Sequence, residues 1–530
     1  MRNSIQILKR LESFQTLFLI LTVLNAVPIL MFNCYPSLDG PAHLYNVNVL
    51  KQLLIQKNQF LSQYFTLNRE VIPNWTSHFI LLVFRLILSS ATANKLLLLI
   101  IAFSLPITVY SLINRIAPRN IMLSVFALPF VYTYLFGLGF YNFCIGVILF
   151  FITLNYWLRP GNRISIIRIL GLFGLLTLSY FTHILIFLVT FLSVGLFSLL
   201  NLLGELRERK TGPETFKELF FVFLAGLPGL FLSYQYVSVR NPPVISSRFH
   251  IHELVKWIVD VRSLIIHNYS AEAKFSRFIF FVAAGLLLYL LIRKFTVSKL
   301  RPVTFRLNSK QFYFGILSLV FLVLYFVFPN SSSGGSYITD RMNILFYMVL
   351  MIWLCTFRYP KLLIGTAFIV RLASGIGLSF RNYVGLRSYR NLMENYLEAE
   401  KLIRGNSVVL SIWDSDWMLD THFPHLLGWN KPVVILDNFE ATVGYYPLVW
   451  NHDKMPSLLL ADSLVSNVCL YKTFPDSSLP GNPIDYVVVW GNSEMSDCKA
   501  NLFRYVEKEY SLIYSAENPD LLLYQLNTGP

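Results

Sequence analysis

Tyr35-Pro36-Ser37-Leu38-Asp39-Gly40-Pro41-Ala42-His43-Leu44-Tyr45 follows directly on an apolar run at residues 14–32. Arg2, Lys9 and Arg10 precede that run. It has the charge flank of a signal peptide but is too long for such a peptide's hydrophobic region, so it reads as an uncleaved anchor. An acidic residue therefore stands at membrane level, just outside the hydrocarbon. Gly40 and Pro41 come next, and Leu44, Val47, Leu50 and Leu54 recur at helical spacing. Asp39 thus reads as the N-cap of an amphipathic helix lying along the interface, with His43 one turn further on. Two readings stay open here: a cap beside a solvated histidine, or a chemical site.

Composition settles the class. Of 530 residues, 55% are hydrophobic and 14% charged, and runs of about 20 apolar residues recur, the pattern of a polytopic α-helical membrane protein. The net charge of +15 is uneven. Residues 1–384 hold 34 Lys/Arg against 11 Asp/Glu, while residues 385–530 hold 10 against 18. The basic excess belongs to membrane loops, so no nucleic-acid partner is implied. Of five cysteines, only Cys469 and Cys498 share a water-soluble region, where an oxidising compartment would let them pair.

After the first run, apolar stretches follow at 96–113, 121–136, 143–158, 166–181, 184–203, 219–236, 278–292, 312–328, 343–357 and 362–380, giving about 11 spans. The run at 79–88 is short and holds Arg85, and it reads as a juxtamembrane or re-entrant element. The basic connections 115–119, 159–168, 207–217, 293–310 and 358–361 then all fall on the cytoplasmic side with the N-terminus. Facing outward are Asp39, His43, Glu70, His78, the turn Gly137-Leu138-Gly139-Phe140-Tyr141-Asn142, His183, the loop 235–274 and the segment 329–341 with Tyr337, Asp340 and Arg341. Ionisable residues at membrane depth are costly to hold, which makes them candidates for function.

From Arg387 the pattern changes. Leu392, Tyr396, Leu397 and Ile403 suggest a helix, β-type runs follow at 407–413, 432–436, 484–490 and 521–526, and a second helical segment lies at 499–510. This is a small α/β domain. Asp414, Asp416, Asp420, His422 and His425 invite a metal reading, but Asp414-Ser415-Asp416 lacks the glycine and terminal glutamate of a calcium loop, so a solvated acidic loop is the reading preferred. No Gly-rich phosphate loop, no GxSxG elbow and no internal repeat occur.

A cytoplasmic N-terminus, one span, an outer loop with an acidic residue, many further spans and an outer C-terminal domain together resemble the GT-C superfamily of polyprenyl-phosphate-sugar-dependent glycosyltransferases. The resemblance is architectural and covers residues 1 to about 384. Locally it rests on Ser37-Leu38-Asp39-Gly40-Pro41-Ala42-His43, Pro73-Asn74-Trp75, Gly137-Leu138-Gly139-Phe140-Tyr141-Asn142, Thr182-His183 and the segment from Tyr337 to Arg341. It implies a transmembrane GT-C-like domain at 1–384 with a first outer loop at 34–94, and an extracytoplasmic α/β domain at 385–530. Many members carry paired acids in that loop, whereas here Gly40 follows Asp39. That leaves the need for a divalent cation open, the metal ligands unknown, and Glu70 as the other carboxylate on offer.

Inverting sugar transfer from a lipid phosphate needs a carboxylate to take the acceptor's proton and cations near the departing phosphate. The resemblance implies Asp39 as base, with His43, Glu70, His78, Tyr141, Asn142, His183, Tyr337 and Arg341 as substrate contacts. The implied partners are a polyprenyl-phosphate-linked sugar, a glycan, lipid or protein acceptor, and the lipids of the inner membrane. A lipid-linked-sugar transporter or flippase, and a non-catalytic envelope-assembly scaffold, are the alternatives. The topology has its own test: a reporter fused after Pro530 is expected to report the periplasm and one between Lys294 and Lys310 the cytoplasm. A cytoplasmic C-terminus would overturn the arrangement.

Overall fold

The computed structural model describes residues 2–161, 164–208, 213–239, 248–297, 306–331, 335–414, 418–451, 484–491, 506–517 and 521–527. Two compact units divide the chain: Met1–Pro28, Leu99–Phe136 and Tyr141–Gly385 form a membrane unit, and Ile29–Leu98, Gly137–Phe140 and Leu386–Pro530 form a second.

Among the described residues, eight helices are long and apolar enough to cross a membrane. Tyr141–Trp157 and Ile166–Thr182, with 17 residues each, are shorter apolar helices. In the membrane unit, Leu362, Ile369 and Ile376 lie seven residues apart on Lys361–Arg387, and all three are exposed. An apolar outer stripe of this kind is what contact with lipid tails requires. Ile338–Cys355 is the opposite case, 89% buried, the helix the others cover. Close packing has a local cause at Gly226 and Gly229 of Pro213–Val239, where a Cβ would fall 2.3 Å from the Phe191 ring and 2.4 Å from the Phe187 ring. Small residues at such positions let helix backbones approach.

The run at 121–136, expected as an ordinary span, is built differently. It lies in 3₁₀ helix at Pro118–Ala127 and Pro129–Val131, followed by the single turn Tyr134–Gly137. Pro129 offers no N–H to an i→i−4 bond, which disfavours α-helix at this point, although Pro228 is accommodated inside Pro213–Val239. The segment still runs the length of Ile338–Cys355: Asn120 Nδ2 donates to the Cys355 and Phe357 carbonyls at 2.7 and 2.5 Å, and at the other end Tyr134 packs its ring on Tyr337. Irregular backbone is tolerated at membrane depth only where protein covers it. Residues 123–133 are buried accordingly.

In the second unit, strands β1 (Phe65–Leu67) and β4 (Leu448–Trp450) form an antiparallel pair. A five-stranded sheet of β2 (Ser407–Asp414), β3 (Val433–Ile435), β5 (Tyr486–Gly491), β6 (Tyr510–Ala516) and β7 (Leu521–Leu526) has the order β3-β2-β5-β7-β6. β3, β2 and β5 are mutually parallel, and β7 and β6 are antiparallel additions. The four strands expected from sequence are present, and β6 is a fifth, reading Tyr510-Ser511-Leu512-Ile513-Tyr514-Ser515-Ala516. It begins where the expected helix at 499–510 ends, and of that helix residues 499–505 lie outside the described residues.

The helix after Asp39 is Gly40–Leu54, and it is not an interfacial amphipathic helix. It is buried on nearly every side. The Tyr45 hydroxyl donates to the Val433 carbonyl, Asn48 donates to the carbonyls of Gly428 and Lys431, and Asn46 and Asn438 bond each other. The polar positions that read as a wet face are satisfied by the chain around β3 instead. Thr76–Arg85, at 10 residues, is too short to cross a bilayer core of about 30 Å.

The Asn120 bonds carry a prediction. Asn120→Leu keeps the bulk but leaves the buried Cys355 carbonyl and the part-buried Phe357 carbonyl without their donor, an expected loss of about 1–3 kcal/mol. Thermal unfolding in detergent checks it, and an unchanged midpoint would remove the proposed role of Asn120 as the tie between these segments.

Candidate active site

The sequence-derived candidates fall into the two units. Within the second, the carboxylate beside His43 and His78 is Glu440, on the short helix Phe439–Thr442 that follows β3. His43 Nδ1 lies 2.6 Å from Glu440 Oε1 and His78 Nε2 lies 3.1 Å from Oε2, so one carboxylate bridges two imidazoles. Asn46 Nδ2 donates to the same Oε2 at 2.6 Å. The two histidine rings meet edge to face at 4.7 Å, and the Tyr446 ring packs against both. His43, Asn46, His78 and Glu440 are all buried.

Local backbone explains how these side chains arrive. Asn74 of Pro73-Asn74-Trp75 takes a left-handed conformation, which asparagine tolerates, and Thr76–Arg85 starts there with His78 in its first turn. Gly139 has φ +78°, and a Cβ on it would fall 2.8 Å from the Gly40 nitrogen and 2.9 Å from that of Asp39. The Asp39 N–H donates to the Leu138 carbonyl at 3.1 Å, and His43 Nε2 lies 3.1 Å from the Gly139 carbonyl. The Gly-rich turn is therefore the seat of Asp39 and His43, and it accepts the outer ring nitrogen of His43.

Charge follows burial. Desolvation would push the Glu440 carboxyl up, but His43 and His78 hold it well below the usual carboxylate range. Burial works against protonation of His43, yet Glu440, by charge and contact, and Asp39 raise it. His78 goes the other way, lowered chiefly by burial. Asp39 is pushed up to about 7, first by burial, with His43 opposing and Glu440 assisting. Its carboxylate makes no cap bond to Gly40–Leu54 and has a side chain 14% exposed. His422 Nε2 stands 3.6 Å away, but burial and then His425 push His422 down to about 4, so it faces Asp39 as a neutral ring at pH 7. Asp39 is thus a largely buried, uncapped carboxyl pushed up toward neutrality by burial.

Glu70 is exposed, with its N–H on Asn68, and it is not one of the His43–His78–Glu440 group. Of the acidic-loop candidates, Asp416 lies outside the described residues, as do Cys469 and Cys498. His425 is buried, with Nδ1 3.1 Å from the His422 carbonyl. The membrane unit holds the rest. Arg341 lies with its guanidinium 5.5 Å from the centre of the Phe143 ring, and Phe143 meets the His183 ring edge to face at 5.5 Å. Tyr141 and Asn142 open the helix that carries Phe143, and both are buried. Tyr337, left-handed at φ +57°, precedes Ile338–Cys355 and accepts the Arg341 N–H.

Glu440 escaped sequence reading because Asp437-Asn438-Phe439-Glu440 matches no motif. The available signal was topological. Sites in parallel sheets form beyond the carboxyl ends of the strands. Glu440 and Asn438 follow β3 there, and His422 and His425 follow β2.

No family model matches the sequence, and no curated protein matches it. Among solved structures the chain is similar to ArnT from Cupriavidus metallidurans in the apo state, at 11% identity over 97% of this chain and 98% of that one, with a TM-score of 0.49. The chemistry of the site rests on this chain's own residues.

Gly139→Ala tests the seat of Asp39. It places a Cβ in a left-handed position against two backbone nitrogens, and the expected cost exceeds about 1 kcal/mol. A variant with wild-type thermal unfolding would show that the turn does not constrain Asp39.

Proposed function

We propose that this chain is an inverting membrane glycosyltransferase that moves a sugar from a polyprenyl-phosphate donor to an extracytoplasmic acceptor, with Asp39 as the base. The observation that carries the reading is the state of Asp39: a carboxyl freed from capping and pushed up to about 7 mainly by burial, in a chain whose described residues include eight candidate membrane spans. In the reaction the acceptor oxygen bonds to the sugar's anomeric carbon as the carbon–oxygen bond to phosphate breaks. The acceptor proton passes to Asp39 and the lipid phosphate departs as the anion. A phosphate leaving group needs little acid help, so a base and cations suffice.

For Arg341 the proposed role is a contact to that phosphate. Its planar fork matches phosphate oxygens in two directions, which a lysine's point charge does not. The remaining candidates of the membrane unit, Tyr141, Asn142, His183 and Tyr337, are proposed as further substrate contacts. The GT-C resemblance supplies the donor class, while the acceptor is read only as a hydroxyl-bearing glycan, lipid or protein.

Asp39→Asn separates base from scaffold. Because the native carboxylate makes no cap bond, the amide is expected to keep thermal stability while turnover falls about 100-fold or more. Arg341→Lys, assayed beside it, is expected to weaken donor use. Full complementation of a deletion strain by a normally folded Asn variant would sink the catalytic assignment and favour the envelope-scaffold reading.

A further inference from the structure

The geometry points to a binding site for one divalent transition-metal ion of the zinc class, held by His43 Nδ1, His78 Nε2 and the Glu440 carboxylate. Their ligand atoms all lie within 4.8 Å of one another. Two imidazoles and one carboxylate are the donor set of open zinc sites, which keep a fourth position for water or substrate, and such nitrogen donors disfavour magnesium and calcium. Tetrahedral coordination at zinc distances places donor atoms about 3.3 Å apart. The present 2.6 and 3.1 Å contacts and the 4.8 Å limit bracket that value, so side-chain adjustments of the order of 1 Å complete the site.

The surrounding shell is what a metal site requires. A ligating histidine donates its other N–H to a carbonyl or carboxylate, which fixes the ring and leaves the first nitrogen as a lone pair. His43 Nε2 has the Gly139 carbonyl at 3.1 Å for that purpose. The ligating carboxylate is itself hydrogen-bonded: Asn46 donates to Glu440 Oε2, and Asn438 holds Asn46 at 2.7 Å. Glu440 Oε1 has no hydrogen-bond partner of good geometry, although His43 Nδ1 is 2.6 Å away. With both histidines neutral, the Glu440 carboxylate offsets part of a dication's charge within the buried site. Bound there, the ion would supply a Lewis acid for an anionic oxygen. The donor set differs from the paired loop acids of the GT-C pattern, and it does not depend on the glycosyl-transfer reading.

The experiment uses the full chain in detergent. Metal analysis of the purified protein is expected to find about one zinc-class ion per chain, and chelator-stripped protein titrated with Co²⁺ is expected to show the visible bands of four-coordinate cobalt. His78→Ala and Glu440→Ala should abolish both signals, and Asn46→Ala should weaken Co²⁺ binding about 10–100-fold. Glu394→Gln, on an exposed helix face, should change neither. Folded wild type that holds no transition metal and gives no cobalt bands overturns the site, whatever the variants do. Equal metal content in folded His78→Ala and Glu440→Ala overturns it as well. Asp39→Asn with full metal and full turnover would remove only the glycosyl-transfer base. Loss of turnover in Asp39→Asn from a protein that binds no metal would remove only the metal.

Discussion

A carboxylate with 4% of its side chain exposed needs partners from within, and Glu440 has His43, whose protonation it favours, and a contact to His78. Each comes from a different stretch of chain: the helix Gly40–Leu54, the helix Thr76–Arg85 and the turn beyond β3. Removing His43 leaves the buried carboxylate without its charge partner, which costs several kcal/mol, of the order of 3–5. The second unit is organised by this requirement. Asn46, Asn48 and Tyr45 extend it, bonding Gly40–Leu54 along its length to residues between Gly428 and Asn438.

The membrane unit answers a different constraint, that every backbone polar group in lipid be satisfied internally. Helices do this by themselves, and their outer faces are free to be apolar, as at Leu362, Ile369 and Ile376. Residues 118–131 do not take that solution and follow 3₁₀ geometry instead. The segment survives at membrane depth because it is covered, and Asn120 satisfies the carbonyls at the end of Ile338–Cys355.

The proposed function grows from how one residue differs from its surroundings. Asp39 sits at a helix start yet does not cap it, so its lone pairs are available, and burial brings its proton affinity near neutrality. The neutral His422 beside it neither pairs with it nor repels it. His43, four residues on, is engaged by Gly139 and Glu440 and is held in one orientation. In the proposed reaction Asp39 is the group that accepts the acceptor's proton.

Hydropathy and period alone determined the membrane class, the positions of most spans, the change to α/β structure after Arg387, and four of the strands, because each depends on residues near in sequence. The same reasoning picked out Asp39, His43 and His78 and the turns Pro73-Asn74-Trp75 and Gly137-Leu138-Gly139. What those turns do was not readable: positive φ at Asn74 and Gly139 has meaning only against the backbone they approach. Glu70 was the nearer carboxylate in sequence and Glu440 the one in space, separated from His43 by nearly four hundred residues. The 3₁₀ path at 118–136 and the burial of Gly40–Leu54 were likewise decided by packing. A helix face that reads as polar is wet or buried according to whether another part of the chain brings donors and acceptors to it, and that information lies in the fold.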